Sequence, residues 1–457
     1  MKSLIALIIF LVIACLTRNA TAQTIDVSCP KFFDDRHQSI ACVEALFSQD
    51  HYHFTLASLP PSNGFGPGLV LIKKIRGTSG TPAREYGLDL SVTGAATTNS
   101  SWFAGGDLQW LPPLPYKADP SETNGLRLGK LSVTERATLH IAAMHRTVRT
   151  LYFFGNGSRS PSARHVFAQD DTSVDALARM PLTRWLTVTG ESEVRSTTLP
   201  STSDPTAVSA TLSPALTPGI SAQPLFLHNA VGGSTNFSHR VSKRFQELPK
   251  QDDPHFQNLL LFNFRNDFAF HWQQPADGSP FAYRQFIYDG DQAMVFHRVL
   301  RNLFDAKRHP VIRYMCQGNK RRDECDFGQF ELKTRLVLTQ TSGVNQIPFY
   351  LQPTLGGTDI DSRVTLRGYD NYRFRAPDLA LVQFEYGIPV YDPIGVFVFY
   401  DAGTVGNSVS ALSMGQFRQD AGPGVSVRLR GHVIAQTFYA FGAGHGGRWN
   451  YNFSKVF

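Results

Sequence analysis

Residues 260–272 read Leu-Leu-Phe-Asn-Phe-Arg-Asn-Asp-Phe-Ala-Phe-His-Trp and carry the clearest structural signal in the chain. Successive residues of a β-strand point to opposite faces, so a period of two predicts a strand. One parity of this stretch holds Leu260, Phe262, Phe264, Phe268, Phe270 and Trp272, and the other holds Asn263, Arg265, Asp267 and His271. The same alternation recurs over residues 86–92, 331–339, 382–388 and 449–457, which predicts an all-β protein.

The polar parity of these segments favours a membrane barrel over a soluble sandwich, which also alternates. A soluble sheet usually turns Lys and Glu toward water, whereas here the polar parity mixes Gly, Asn, Ser and Gln with isolated opposite charges. Such a face suits a crowded, hydrated lumen, and aromatic residues near strand ends suit the two membrane interfaces. We therefore predict a transmembrane antiparallel β-barrel.

Composition agrees with this class and excludes a helical membrane protein. The 457 residues would ordinarily suggest roughly three soluble domains. Charged residues are only 18%, Phe occurs 34 times, and the mean hydropathy is −0.18. After residue 16 no apolar run reaches the roughly 18 residues of a membrane helix. Strands of about 9–11 residues predict a barrel of about 16 strands.

The amino terminus is typical of a secretory signal peptide over residues 1–22. Lys2 supplies the positive start, residues 4–16 the apolar core, and Ala20-Thr21-Ala22 the cleavage site. An alternative is a lipobox that ends at Cys15. Removal of the leader takes away two cations and no acid, so the net charge falls from +7 to +5. This mild charge does not call for a nucleic-acid partner.

The cysteines left after cleavage are Cys29, Cys42, Cys316 and Cys325. An even number in an oxidising compartment predicts disulfides, with local pairing Cys29–Cys42 and Cys316–Cys325 as the natural choice. Their spacing does not support a zinc site, because no CxxC or nearby pair of histidines accompanies them. No metal or cofactor is expected.

The chain divides into a short periplasmic lead over residues 23–65 and a barrel over residues 66–457. Residues 195–255 are rich in Ser, Thr and Pro and predict a long surface loop. A second long loop, the motif loop, is expected over residues 341–377. The first strand is expected near residues 66–75 and the last over residues 448–457.

Ordered motifs fill the carboxyl-terminal third. Gly356-Gly357 precedes Leu366-Arg367-Gly368-Tyr369; Glu385, residues 399–406 (FYDAGTVG) and residues 422–425 (GPGV) follow, and the chain ends in residues 452–457 (NFSKVF). This order resembles the BamA/TamA-type outer-membrane barrels, the bacterial surface antigen family. The match covers roughly residues 340–457, and residues 153–157 (FFGNG) resemble an upstream family element. The resemblance implies an inward-folded extracellular loop that carries the LRGY motif.

The alternation along each strand indicates on which side of the barrel wall the motif residues lie. Glu385 and Asp401 lie on the parity opposite Phe384 and Tyr400, so both carboxylates are expected to face the lumen. The planar guanidinium of Arg367 offers enough donors to bind both. We predict a structural loop tether, without catalytic residues, made of Arg367, Gly368, Tyr369, Glu385 and Asp401. The resemblance further implies a carboxyl-terminal β-signal of Trp449, Tyr451, Phe453, Lys455 and Phe457.

The expected function is insertion or assembly of outer-membrane proteins, or polypeptide translocation, through a weak seam between the first and last strands. The alternative is a passive channel or structural barrel. Well-known family members carry periplasmic POTRA domains, and the lead over residues 23–65 is expected to be too short for one. Expected partners are outer-membrane lipid and lipopolysaccharide, unfolded polypeptide clients and a separate periplasmic protein, and the expected location is the bacterial outer membrane.

An enzyme is not expected. Residues 442–447 satisfy GxGxxG, but they lie between two strands, whereas a dinucleotide fingerprint opens a helix. The sequence contains no GxSxG, HExxH or P-loop motif.

Overall fold

The computed structural model describes residues 52–58, 63, 65–79, 84–112, 137–161, 163–183, 185–240, 260–295, 328–361, 363–391, 394–429, 432–442 and 446–453. Within these residues no helix is long and apolar enough to cross a membrane. The signal peptide, Cys15, the four candidate disulfide cysteines (Cys29, Cys42, Cys316 and Cys325), Lys455 and Phe457 lie outside the described residues, so those predictions stay predictions.

The described chain forms one 16-stranded sheet in which every neighbouring pair is antiparallel. Its strands, in order along the sheet, are β1 (Tyr52–Ser58), β2 (Phe65–Ser79), β3 (Arg84–Ala96), β4 (Trp102–Leu111), β5 (Thr138–Phe153), β6 (His165–Pro181), β7 (Leu186–Thr198), β8 (Leu225–Arg240), β9 (Leu260–Pro275), β10 (Tyr283–Val295), β11 (Gln329–Thr341), β14 (Asp378–Tyr391), β15 (Ile394–Gly406), β16 (Arg418–Leu429), β17 (His432–Gly442) and β18 (Gly446–Phe453). The predicted number of strands is confirmed.

The two faces of the sheet differ as the sequence predicts. Along β15 exposed and buried residues alternate: Val396, Val398 and Tyr400 are exposed, and Asp401 is buried on the inward face. Phe397 and Phe399 share that inward face, so two phenylalanines interrupt the polar lumenal face that the sequence predicts. The same alternation leaves Phe268, Phe270 and Trp272 of β9 exposed. An outward apolar face with inward polar groups is the pattern of a membrane β-barrel.

Contacts between distant strands show that the sheet curves into a barrel. Adjacent strands lie about 4.8 Å apart, so a flat sheet would separate β5 from β16 by about 43 Å. Yet the Arg418 guanidinium on β16 donates hydrogen bonds of 3.1 and 3.0 Å to the Ser158 carbonyl. Ser158 follows the end of β5 at Phe153, and this stretch of chain spans at most about 18 Å. The sheet must therefore bend.

The structure corrects two predicted boundaries. The periplasmic lead was expected to reach residue 65 and the first strand to lie near residues 66–75. Instead β1 lies within that lead, and residues 66–75 belong to β2, with which β1 pairs. The loop predicted over residues 195–255 contains β8, which pairs with both β7 and β9. Gly232-Gly233-Ser234-Thr235 in the middle of β8 carries no large apolar side chain, which hides the alternation. Of the predicted loop, the structure describes a non-strand segment over 199–224 with one short helix, α1 (Val208–Thr211).

The interior core lies beneath the connection between β11 and β14. This connection, residues 342–377, contains a 3-10 turn (Phe349–Leu351) and a small hairpin of β12 (Thr354–Leu355) and β13 (Phe374–Arg375). Its side chains pack on the inner face of the sheet in two buried apolar clusters, one around Leu366 and Phe374 and one around Phe349 and Tyr372. The motif loop therefore folds inward.

Candidate functional site

The conformation of the motif loop depends on two consecutive glycines that directly follow β12. Gly356 and Gly357 have φ values of +112° and +54°, in the region that favours glycine. A Cβ at Gly356 would lie 2.4 Å from the Asp370 carbonyl oxygen. The Gly357 amide donates to the Leu366 carbonyl oxygen (2.7 Å), and the Tyr372 amide donates to the Gly356 carbonyl oxygen (3.0 Å). These close approaches bring Arg367 to the barrel wall.

Arg367 reaches both acids that the sequence proposes for it. Its Nε and Nη2 donate to the two carboxylate oxygens of Asp401 on β15, at 2.9 and 3.2 Å. Its Nη1 donates to Glu385 Oε2 on β14 at 2.6 Å. The Arg367 backbone amide also approaches Asp401 Oδ2, at 3.3 Å. One loop residue is therefore held by two adjacent strands, and we call Arg367, Asp401 and Glu385 the Arg367 tether.

The tether is shielded from water. Arg367 is 5% exposed and Asp401 is 0% exposed. The guanidinium lies over the Phe399 ring at 4.0 Å, in a cation–π geometry. Arg367 lies on the loop, outside the spanning strands; burial lowers the pKa of its guanidinium, but the carboxylates of Asp401 and Glu385 raise the pKa above its usual value. The two carboxylates thus keep the buried Arg367 guanidinium positively charged.

Gly368 and Tyr369 extend the contact to β16 and β17. A Cβ on Gly368 would lie 2.8 Å from the Asp420 Cβ and 3.1 Å from the Gly442 backbone. The small size of Gly368 is therefore what this contact requires. Tyr369 is buried, and its hydroxyl donates to the Gln419 carbonyl oxygen at 3.3 Å.

The loop also contacts the last strand, which the sequence reading missed. Asn450 Nδ2 on β18 donates to the Arg367 carbonyl oxygen at 3.0 Å, and Arg448 Nη1 lies 2.6 Å from Asp370 Oδ1. Trp449 and Tyr451 on the same strand are 63% and 73% exposed, on the outward face, and the Phe453 backbone pairs with Ala435. The inward-facing side chains of β18, the strand of the proposed β-signal, therefore contact the motif loop.

Two more polar residues belong to the site and were not predicted. Gln383 donates to the Thr365 carbonyl oxygen (2.8 Å) and to Asp401 Oδ1 (3.2 Å). Asp420 lies directly opposite Asp401 across the β15–β16 pair and is 2% exposed. The inward parity of β14 points to Gln383, but the Asp401–Asp420 pairing depends on the register between two strands, which the sequence does not reveal.

The upstream element at residues 153–157 also meets the motif loop. The Gly157 amide donates to the Arg375 carbonyl oxygen at 2.7 Å, and the Arg373 guanidinium lies 5.1 Å from the Phe154 ring centre. The Phe153 and Phe349 rings pack edge to face at 5.3 Å. The element thus supports the loop from a second wall of the barrel.

That second wall holds another buried ionic cluster, the wall network. Asp171 of β6 accepts hydrogen bonds from Arg146 of β5 (2.8 Å), Gln169 (3.0 Å) and Thr197 of β7 (2.7 Å). The Arg195 guanidinium lies 3.3 Å from the same carboxylate. Asp171 is 2% exposed, so one buried acid is shared by two arginines.

Comparison with known proteins finds similarity in structure only. No family model and no curated protein matches the sequence. CdiB from Acinetobacter baumannii matches with a TM-score of 0.45 and 10% identity, over 86% of this chain and 56% of that one. BamA from Haemophilus ducreyi lacking POTRA domains 1–3 matches with a TM-score of 0.46 and 11% identity, over 91% and 77%. This chain spans little more than half the length of the CdiB chain.

Proposed function

We propose that the protein handles polypeptide at the bacterial outer membrane, as an insertase or translocator that works through the seam between its first and last strands. The observation that carries this proposal is the double attachment of the motif loop. Arg367 binds β14 and β15 through its side chain and β18 through its carbonyl oxygen. The loop is therefore placed to set the position of the last strand from inside the barrel.

The edges of β1 and β18 at the seam would provide the backbone hydrogen-bonding groups that bind a client. Within the described residues, β1 pairs only with β2, and β18 pairs only with β17. β1 has 7 residues and the described β18 has 8, against 15 in β2 and 11 in β17. Unpaired amides and carbonyls of a strand edge can template an incoming strand. An unfolded polypeptide client would add to the edge that the motif loop holds open or closed.

The proposed surroundings follow from the two faces. The exposed aromatic and aliphatic side chains would contact outer-membrane lipid and lipopolysaccharide, as the outward band of a barrel does. A separate periplasmic protein would deliver clients to the seam. The proposed role needs no enzymatic step, because strand addition forms only hydrogen bonds and buries apolar surface.

Cells depleted of the protein test the proposal. We expect outer-membrane barrel assembly or secretion to fail on depletion, to recover with the wild-type gene, and to recover poorly with Arg367→Ala at equal protein level. Asp267→Asn is the matched control, because it removes a partly exposed acid that pairs with Arg265 on the same strand and leaves the motif loop's contacts in place. Normal assembly and secretion of all clients after clean deletion would overturn the proposal.

A passive channel is the second candidate, and the lumen favours it. A cavity of about 1100 Å³ is lined by charged strand residues such as Lys333 and Arg335 and by loop residues such as Arg363. Liposomes with purified protein separate the two functions. Large, stable conductance unchanged by Arg367→Ala, with no faster insertion of a barrel client, would support the channel and contradict the insertase.

A further inference from the structure

A cluster of metal-ligating side chains lies on the inner wall, on β7, β8 and β9. Glu191 and Glu193 of β7 point inward together because they are two residues apart on one strand. Glu193 is directly opposite His228 of β8 in the strand register. His271 of β9 comes next along the wall, and these four residues line the lumen cavity.

Three ligand atoms converge on one point. His228 Nδ1 lies 3.1 Å from Glu193 Oε2 and 3.7 Å from Glu191 Oε1, and one ligand atom from each of the three side chains lies within 4.8 Å of the others. Tetrahedral zinc with bonds of 2.0–2.2 Å separates its ligand atoms by about 3.3–3.6 Å. The two measured separations bracket this range, so an ion would enter with small side-chain movements.

His271 prepares His228 for this role. His228 Nε2 lies 2.7 Å from His271 Nδ1, and the two rings are stacked with centroids 5.0 Å apart. When Nε2–H donates to His271, the lone pair of His228 Nδ1 points at the glutamates. A second-shell hydrogen bond that fixes the tautomer in this way accompanies most metal-bound histidines. The His228 side chain is only 8% exposed, so its orientation is constrained.

A second lumenal histidine shows what a simple ionic contact looks like in the same barrel. His140 of β5 also lies between two acids, but Asp107 contacts its Nε2 and Asp175 lies 3.9 Å from its Nδ1. Its acids therefore face opposite edges of the ring, and their oxygens cannot share one ion with the same nitrogen. At His228 both acids face Nδ1.

We propose that Glu191, Glu193 and His228 bind a divalent transition-metal ion of the zinc type, with His271 as the positioning residue. One imidazole nitrogen and two carboxylate oxygens are ligands that zinc accepts, and their two negative charges balance the ion. Three protein ligands leave a fourth position for water from the lumen. The ion would join β7 to β8 through side chains, in addition to the backbone pairing.

Metal titration of the purified, tag-free full chain in detergent tests the site. After chelator treatment and dialysis, we expect about one zinc ion per chain by elemental analysis and calorimetry, as for a single three-ligand site. Co²⁺ should give the intense visible absorption of a tetrahedral site, and Zn²⁺ should abolish it. Mg²⁺, which prefers six oxygen ligands, should not compete.

Variants make the result specific to these residues. His228→Gln and Glu193→Gln should abolish this zinc and cobalt signal, and His271→Gln should weaken affinity by about 10- to 100-fold. His140→Gln should bind as the wild type does. Circular dichroism and heat-modifiable gel mobility establish that each variant is a folded barrel. Absence of a saturable site in the wild type, or unchanged binding by folded His228→Gln, would overturn the proposal.

Discussion

The Arg367 tether and the wall network are both buried clusters of arginine and carboxylate side chains, but they connect different parts of the molecule. In the tether the cation comes from the motif loop and the two acids come from β14 and β15. In the wall network the acid, Asp171, and its partners all come from three consecutive strands. The first therefore attaches a connection to the sheet, and the second joins strands that are already paired.

We therefore expect loss of the wall network to affect the stability of the whole barrel, and loss of the tether to affect mainly the motif loop and β18. Loss of the wall network would leave two arginines buried within the sheet and weaken the barrel as a whole. Loss of the tether would release the motif loop and, through Asn450, its hold on β18. The wall network also contacts the motif loop, because Arg146 donates to the Ile360 carbonyl oxygen at 3.2 Å.

The largest effect is expected for Asp171→Ala. Removing one partner of a buried ionic cluster costs about 3–5 kcal/mol, because the remaining charges stay buried and uncompensated. Denaturant unfolding of the refolded barrel in detergent measures this loss. Asp289→Ala is the control, since partly exposed ion pairs contribute about 0–1 kcal/mol. Equal losses in the two variants would contradict the central place of Asp171.

The next effect is expected for Arg367→Lys. Lysine keeps the charge but cannot reproduce the bidentate contact with Asp401, and hydrogen bonds to charged groups contribute about 1.5–3 kcal/mol. We expect faster protease cleavage between residues 342 and 377 while the strands stay protected, as seen by mass spectrometry of the fragments. Cleavage at the wild-type rate would show that the point charge alone holds the loop.

A smaller effect is expected for Gly356→Ala. Left-handed backbone in a non-glycine residue costs about 1–3 kcal/mol, and here a Cβ would also meet the Asp370 carbonyl. Gly157→Ala is the matched control, because its φ is +92° and no atom lies within 4 Å of the added Cβ. We expect Gly356→Ala to lower the unfolding midpoint more than Gly157→Ala does. The reverse order would contradict the close packing of the motif loop.

The smallest effect is expected for Asp420→Asn. This residue lies opposite Asp401, so a neutral side chain of the same size removes a buried repulsion and leaves the Arg367 contacts in place. We expect the free energy of unfolding to change by less than about 0.5 kcal/mol or to rise. Asp401→Asn is the comparison, and it should be clearly destabilising. A large loss from Asp420→Asn would mean that Asp420 is itself a required partner.

The sequence predicts those strands in which large apolar side chains alternate clearly with polar ones. The alternation in β9, β11 and β14 is readable for that reason, and so is the lumenal side of Glu385 and Asp401. The number of strands came instead from the usual length of a membrane strand. β8 was not predicted, because Gly232, Gly233 and the small polar residues of this strand weaken the alternation of apolar and polar side chains. The site residues Asp420 and Asn450 were not predicted because their contacts depend on strand register and on the depth of the loop.

Hydrogen exchange of β18 in the full-length barrel tests the central claim, that the Arg367 tether positions the last strand. The experiment compares the wild type, Arg367→Ala and Asp267→Asn in the same detergent, because Asp267 pairs with Arg265 on the same strand, away from the tether. We predict that Arg367→Ala loses amide protection in the motif loop and in β18, while β7 and β8 exchange as in the wild type and Asp267→Asn is unchanged throughout. Loop release in Arg367→Ala with wild-type protection of β18 would contradict the account.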